Sequence, residues 1–98
     1  MAARTVTVRY LGLARNVLGV VEEGVELPEE ARVRELVDAL SGRHGEAFTD
    51  VVLRADGRLR PAVHLFIEGQ DDESLDLDAQ LPGDYVVMMV EVFPIQGG

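Results

Sequence analysis

Cysteine is absent from these 98 residues, and so is lysine. Without a thiol the chain can hold no disulfide frame, no thiolate nucleophile, no sulfur-ligated metal and no iron–sulfur cluster. Any sulfur chemistry would have to take place on something other than a cysteine side chain. All nine basic residues are arginines, which favours bidentate, permanently charged ion pairs over the flexible point charge of lysine. No apolar run approaches the ~20 residues of a membrane span, and the start Met1-Ala2-Ala3-Arg4-Thr5 lacks the apolar core of a signal peptide. The expected location is therefore the cytoplasm, with no membrane partner. Acids outnumber bases by 18 to 9, for a formal net charge of −9. That balance speaks against nucleic acid, whose phosphates need clustered positive charge, and suits a protein partner with a basic surface.

What is present reads as one domain, long enough to bury a core without disulfides or metal. Residues 5–11 alternate, with Val6, Val8 and Tyr10 on one side and Thr7, Arg9 and Leu11 on the other, the period of a half-buried strand. Residues 12–19 read as a loop and 20–27 as a second strand, interrupted at Glu22-Glu23-Gly24 by a bulge or irregular turn. Within 32–40, Val33, Leu36, Val37 and Leu40 make the single apolar stripe of a helix, while Arg34, Glu35 and Asp38 face water. Glu29 and Glu30 suit its positive start, Arg43 and His44 its end, and Gly42 or Gly45 terminates it. No Ser, Thr, Asp or Asn stands just ahead of Val33, so a missing side-chain cap is expected to cost about 1 kcal/mol. Residues 48–61 form the least regular part, with Phe48, Val51, Val52, Leu53 and Leu59 plugging one end of the core and a turn at Asp56-Gly57. A third strand at 62–67 ends in a turn at Glu68-Gly69. Leu75, Leu77 and Leu81 then anchor a short fourth strand or turn. Pro82-Gly83-Asp84 leads into the final strand, 85–92, apolar on both faces as a central strand would be. The order predicts an α+β domain: a mixed sheet of four to five strands, one main helix packed on one face, and the first and last strands parallel in the middle.

Few residues offer chemistry of their own. The acidic run Asp71, Asp72, Glu73, Asp76 and Asp78 lacks the glycine and glutamate spacing of a calcium loop and reads as solvated surface, so no metal site is expected. Neither His44 nor His64 has a nucleophile or orienting carboxylate at a catalytic spacing, and both read as structural. Met88 and Met89 read as core filler. The end of the chain is different. In Phe93-Pro94-Ile95-Gln96-Gly97-Gly98, Pro94 stops the last strand. The two glycines, lacking a Cβ, fit a slot too narrow for any other residue. Residues 94–98 reach roughly 17 Å when extended. The expected division is a folded domain at 1–93 and a flexible tail at 94–98 that can enter another protein's active site.

That element order, with "VRELVDAL" in the helix, "PGD" before the last strand and "FPIQGG" at the end, resembles the β-grasp (ubiquitin-like) fold. Within that fold it resembles the MoaD/ThiS-type sulfur carriers, among them the small subunit of molybdopterin synthase. The resemblance covers nearly the whole chain. It departs in the missing helix cap, the lysine-free composition, the extra residues between helix and third strand and the longer last strand. A protein of this kind is a non-catalytic carrier with no bound cofactor. The resemblance implies that an ATP-using, ubiquitin-activating-type enzyme joins the Gly98 carboxylate to AMP. A sulfur donor, commonly a persulfide, then displaces AMP to leave a thiocarboxylate. The sulfur goes to a synthase large subunit or another acceptor in cofactor synthesis of the molybdopterin kind, with thiamine or cysteine synthesis as other destinations. Gly98 would carry the sulfur, and Gly97 and Gln96, following Pro94, would line the threading tail. Phe93, Ile95, Leu11 and Val92 would be docking contacts, although a core role is equally open for these four. The same activation step serves an alternative, a ubiquitin-like modifier joined through Gly98 to lysines of target proteins. A third reading is a plain β-grasp interaction module. Absence of lysine leaves an activated Gly98 no internal ε-amine to meet and rules out lysine-linked chains of the protein on itself.

Overall fold

The computed structural model describes residues 3–68, 70–71 and 77–91 of the chain. In β1 (Ala3–Gly12) the alternation places Val6, Val8 and Tyr10 in the core and leaves Thr5, Thr7, Arg9 and Leu11 on the other face. β2 (Glu22–Pro28) pairs antiparallel with it, from Ala3↔Pro28 to Arg9↔Glu22. The interruption expected at Glu22-Glu23-Gly24 does not occur. Glu22, Gly24 and Glu26 take the solvent side, while Glu23 stays in phase with the buried Val25 and Leu27 because partners from β1 and the main helix satisfy its carboxylate. Residues 12–19, expected as a loop, contain a short helix, α1 (Leu13–Leu18). It buries Ala14, packs Leu13 and Leu18 on the core, and ends where the Gly19 N–H donates to the Arg15 carbonyl at 2.9 Å.

The main helix, α2 (Val33–His44), buries the expected stripe of Val33, Leu36, Val37 and Leu40 and runs through Gly42 to end at Gly45. Its start lacks a side-chain acceptor at the cap position, yet its first N–H groups are not orphaned. Val33 and Arg34 donate to the carbonyls of Ala79 and Leu77 at 2.9 and 2.8 Å, and the Glu35 carboxylate accepts the Arg32 N–H at 3.1 Å. A distant segment thus does the work of a cap, and the expected penalty is not incurred. Residues 48–61 are more regular than expected. α3 (Glu46–Val52) brings Phe48 and Val52 into the core one helical turn apart, and a tight hairpin closed by a Leu53↔Leu59 bridge follows.

β3 (Val63–Ile67), β4 (Gln70–Asp71) and β5 (Tyr85–Val90) complete a five-stranded mixed sheet in the order β2-β1-β5-β3-β4. β5 is central, parallel to β1 and antiparallel to β3. The short fourth strand lies upstream of the leucines expected to anchor it. Leu81 is buried, Leu77 packs half-buried against the core, and Leu75 lies outside the described residues. The core between α2 and the inner sheet face is wholly apolar, with no buried polar side chain among the described residues. Met88 belongs to it, as expected. Met89 does not, since the two-residue period turns it to the opposite face. At the far end Arg4 ties β1 to the loop before β5, donating to the carbonyls of Leu81 and Gly83 at 2.9 and 3.0 Å.

Candidate functional site

Residues 92–98 continue from the end of β5, and that end is held from both sides. Gly12↔Val90 closes the parallel ladder with β1, Val63↔Val90 closes the antiparallel one with β3, and the Glu91 N–H donates to the Ala62 carbonyl at 2.9 Å. Gly12 makes the approach possible. Its φ is +69°, and a Cβ there would collide with the Val90 carbonyl oxygen. Only glycine both tolerates that backbone and lets β1 turn into α1 directly against the strand end.

The outer face of the sheet near this end is apolar. Leu11, Met89 and His64 form one cross-strand row, and Arg9, Val87 and Phe66 the next. Leu11, Phe66, Val87 and Met89 are half-buried and lie on the face opposite the core residues Tyr10, Leu65, Val86 and Met88. Leu11, singled out from sequence as lying near the tail exit, is therefore opposite Met89, two residues before Glu91. The other singled-out residues, Val92, Phe93, Pro94, Ile95, Gln96, Gly97 and Gly98, lie outside the described residues, as does the boundary between 1–93 and 94–98. His64 is on this face with Nε2 3.3 Å from a Glu91 carboxylate oxygen, in an orientation that falls short of a hydrogen bond.

Both histidines thus have a carboxylate nearby that sequence spacing did not reveal. The stronger case is on the inner side. Glu23 accepts from the Tyr10 hydroxyl at 2.5 Å and from Arg43 at 2.8 Å, and pairs with His44 Nε2 at 2.6 Å. The His44 ring stacks on Phe48 and meets the edge of Tyr10. Burial alone would raise the Glu23 carboxyl, but hydrogen bonds from Tyr10, Arg43 and His44 outweigh it and hold the group below its ordinary value of 4.5. Burial first, and then the Glu23 charge, push the Tyr10 phenol well above its ordinary range. Through these contacts the cluster joins β1, β2 and α2. The in-phase position of Glu23 with Val25 and Leu27 was the available sequence signal for it.

A depressed carboxyl stabilises the fold above its unfolded-state value, and that stability disappears as pH falls through the folded-state value. Replacing Glu23 by Gln is therefore expected to destabilise the protein near neutral pH by about 1.5–3 kcal/mol, the worth of charged hydrogen bonds. It should also flatten the loss of stability below about pH 4.5. Urea unfolding of both proteins across pH 3–7 checks this; parallel curves would contradict it.

Among the described residues no group of three or more His, Asp or Glu side chains is placed to hold a metal ion. No described helix is long and apolar enough to cross a membrane. Most of the acidic run lies outside the described residues; Asp78, within them, pairs with Arg34 at 3.0 Å.

Comparison with known proteins gives a consistent answer. No family model matches the chain, and no curated protein matches it by sequence. Solved structures do. The small archaeal modifier protein 1 of Haloferax volcanii superposes with a TM-score of 0.76 at 23% identity, over 97% of this chain and 100% of that one. Its namesake from Methanosarcina acetivorans gives 0.67 at 16% identity, over the full length of both. These two show the shared ubiquitin-like fold. A Pyrococcus furiosus protein assigned as subunit 1 of molybdopterin converting factor matches with a TM-score of 0.66 over 90% of this chain and 98% of that one. Its identity to this chain is 33%. With that identity across nearly the whole of both chains, and with the β-grasp sheet and helix in place, the protein belongs to the MoaD/ThiS-type family of ubiquitin-like proteins.

Proposed function

We propose that the protein is a sulfur carrier, activated at the Gly98 carboxylate and loaded there as a thiocarboxylate for a molybdopterin-type synthase. The observation that carries this reading is the placement of Gly97-Gly98 in the chain. They stand six and seven residues beyond Glu91, whose N–H anchors the end of a central strand fixed on both sides. A carboxylate is a poor electrophile, so a partner must supply ATP and form the acyl-adenylate. The outer sulfur of a persulfide donor then attacks the acyl carbon and AMP leaves; a second thiol cleaves the resulting acyl disulfide, forming a disulfide with the donor sulfur and freeing the thiocarboxylate. The domain contributes position. A short tether on a rigid body raises the effective concentration of the sulfur in an acceptor's active site. Leu11, Phe66, Val87 and Met89, continuous with the strand that leads to the tail, form the face on which the accepting protein closes. Kinship with the Pyrococcus furiosus subunit supports a molybdopterin destination.

Likeness to two small archaeal modifier proteins supports a second reading, conjugation through Gly98 to lysines of other proteins. Both readings share the adenylation step and part at the nucleophile, sulfur in one and an amine in the other.

The cysteine-free sequence gives a clean test. In a mixture of the purified chain, the adenylating enzyme of the same organism, ATP, a persulfide donor and a thiol reductant removed before labelling, any alkylation of this chain by a thiol-specific reagent must report sulfur gained. ATP-dependent labelling localised to Gly98 is expected. Labelling absent while Gly98 is adenylated and passes to lysines would establish the modifier instead.

A further inference from the structure

The hairpin at residues 53–60 breaks the charge pattern of the chain. Residues 53–62 contain three arginines, Arg54, Arg58 and Arg60, against one aspartate, in a protein of net charge −9. All three are exposed. The hairpin is also rigidly built. Arg54 N–H donates to the Arg58 carbonyl at 2.7 Å, Gly57 N–H to the Arg54 carbonyl at 2.9 Å, and Arg60 N–H to the Val52 carbonyl at 2.9 Å. Leu53 and Leu59 bridge beneath it and pack on the core. Its single acid is already engaged, since Asp56 accepts the Arg58 backbone N–H at 3.0 Å and lies 3.9 Å from Arg54. Neither the Arg58 nor the Arg60 side chain has an acidic partner among the described residues, although the chain holds 18 acids. The hairpin leads at once into Ala62, whose carbonyl accepts the Glu91 N–H, and so stands beside the point where residues 92–98 begin.

We infer that this hairpin is a docking contact for an acidic patch on the adenylating enzyme, set at the rim of the channel by which that enzyme takes up the tail. The inference rests on the carrier reading, because it requires a partner that takes up residues 92–98. Two guanidinium forks with no acidic partner among the described residues match carboxylates bidentately. The remaining surface, with Glu22 and Glu26 exposed on β2, repels a polyanion as extended as nucleic acid. A protein surface with localised carboxylates next to basic ground fits both parts. The hairpin would then set the orientation of approach, because a chain this acidic would otherwise be steered by its negative surface alone.

The test is pyrophosphate exchange by the purified adenylating enzyme of the same organism, measured against concentration of the carrier. For R58E/R60E, KM for the carrier is expected to rise at least about tenfold with kcat within about twofold, the pattern of lost docking without lost chemistry. The neutral variant R58Q/R60Q should give an intermediate rise, and both effects should shrink as salt is raised. Both side chains are exposed, so melting temperatures should match the wild type. A KM within about twofold of wild type in both variants would overturn the inference alone. So would binding of single-stranded RNA by the wild type that the variants lose, since that would assign the arginines to nucleic acid. If the wild-type chain is never adenylated, the carrier reading fails and the inference with it.

Discussion

Deleting Gly98 is expected to abolish adenylation, lowering pyrophosphate exchange by at least about a hundredfold, while leaving the melting temperature unchanged. The two halves of that expectation have separate causes. Removing one residue withdraws the carboxylate by about 3.5 Å along an extended backbone, and a misplacement of even ~1 Å from a reactive geometry costs about a hundredfold. The chain cannot recover the distance by peeling residues out of β5 without breaking its pairing with β1, β3 and the Ala62 carbonyl. Stability, by contrast, comes from a core whose last member among the described residues is Val90, so loss of one residue without a side chain at position 98 is expected to leave it unchanged. Exchange at wild-type rates by the shortened chain would mean that the activated group is elsewhere. Loss of activity together with a lowered melting temperature would mean that the tail supports the fold.

Replacing Gly12 by alanine should do the reverse, damaging the fold first and function through it. The substitution forces a β-carbon onto a residue with φ of +69° and drives it into the Val90 carbonyl oxygen. Backbone strain of that kind costs about 1–3 kcal/mol, and the collision adds to it, so a loss of about 2–4 kcal/mol is expected. For a domain of this size that lowers the melting temperature by roughly 10 °C or more. Gly42→Ala gives the contrast. Gly42 lies exposed within α2 with open space where a β-carbon would stand, so alanine there should stabilise by about 0.5–1 kcal/mol. Opposite signs at two glycines, read by urea unfolding, would tie the Gly12 effect to its conformation. Equal effects would refute that account. Because Gly12 sits against the last residue of β5, G12A should also raise KM for the carrier in adenylation.

The main strands and the main helix were legible in the sequence because their periodicity is local: Val6, Val8 and Tyr10 at intervals of two, Val33, Leu36, Val37 and Leu40 at helical spacing. α1 and α3 were not, since six or seven residues hold too little of a period to distinguish a helix from an irregular plug. Long-range satisfaction was equally invisible. The donors at the start of α2 are met by carbonyls at Leu77 and Ala79, more than 40 residues on, and the half-buried, in-phase position of Glu23 makes sense only once Tyr10, Arg43 and His44 converge on it. Near the site, the parallel pairing of the first and last strands sets Leu11 opposite Met89. Gly12 and the arginine hairpin were missed. The first needs the third dimension to bring Val90 against it, and the second needs the fold to bring residues 53–60 beside Glu91. The tail, 94–98, was read as chemistry from its composition alone, and it lies within residues 92–98, outside the described residues.

Intact mass of the protein purified from its own host, without reduction and without a C-terminal tag, tests the carrier reading most directly. The account predicts a fraction heavier by the difference between sulfur and oxygen, with fragmentation placing the change at Gly98. Protein with an unmodified carboxylate throughout, taken from cells actively making the sulfur-containing cofactor, would contradict it.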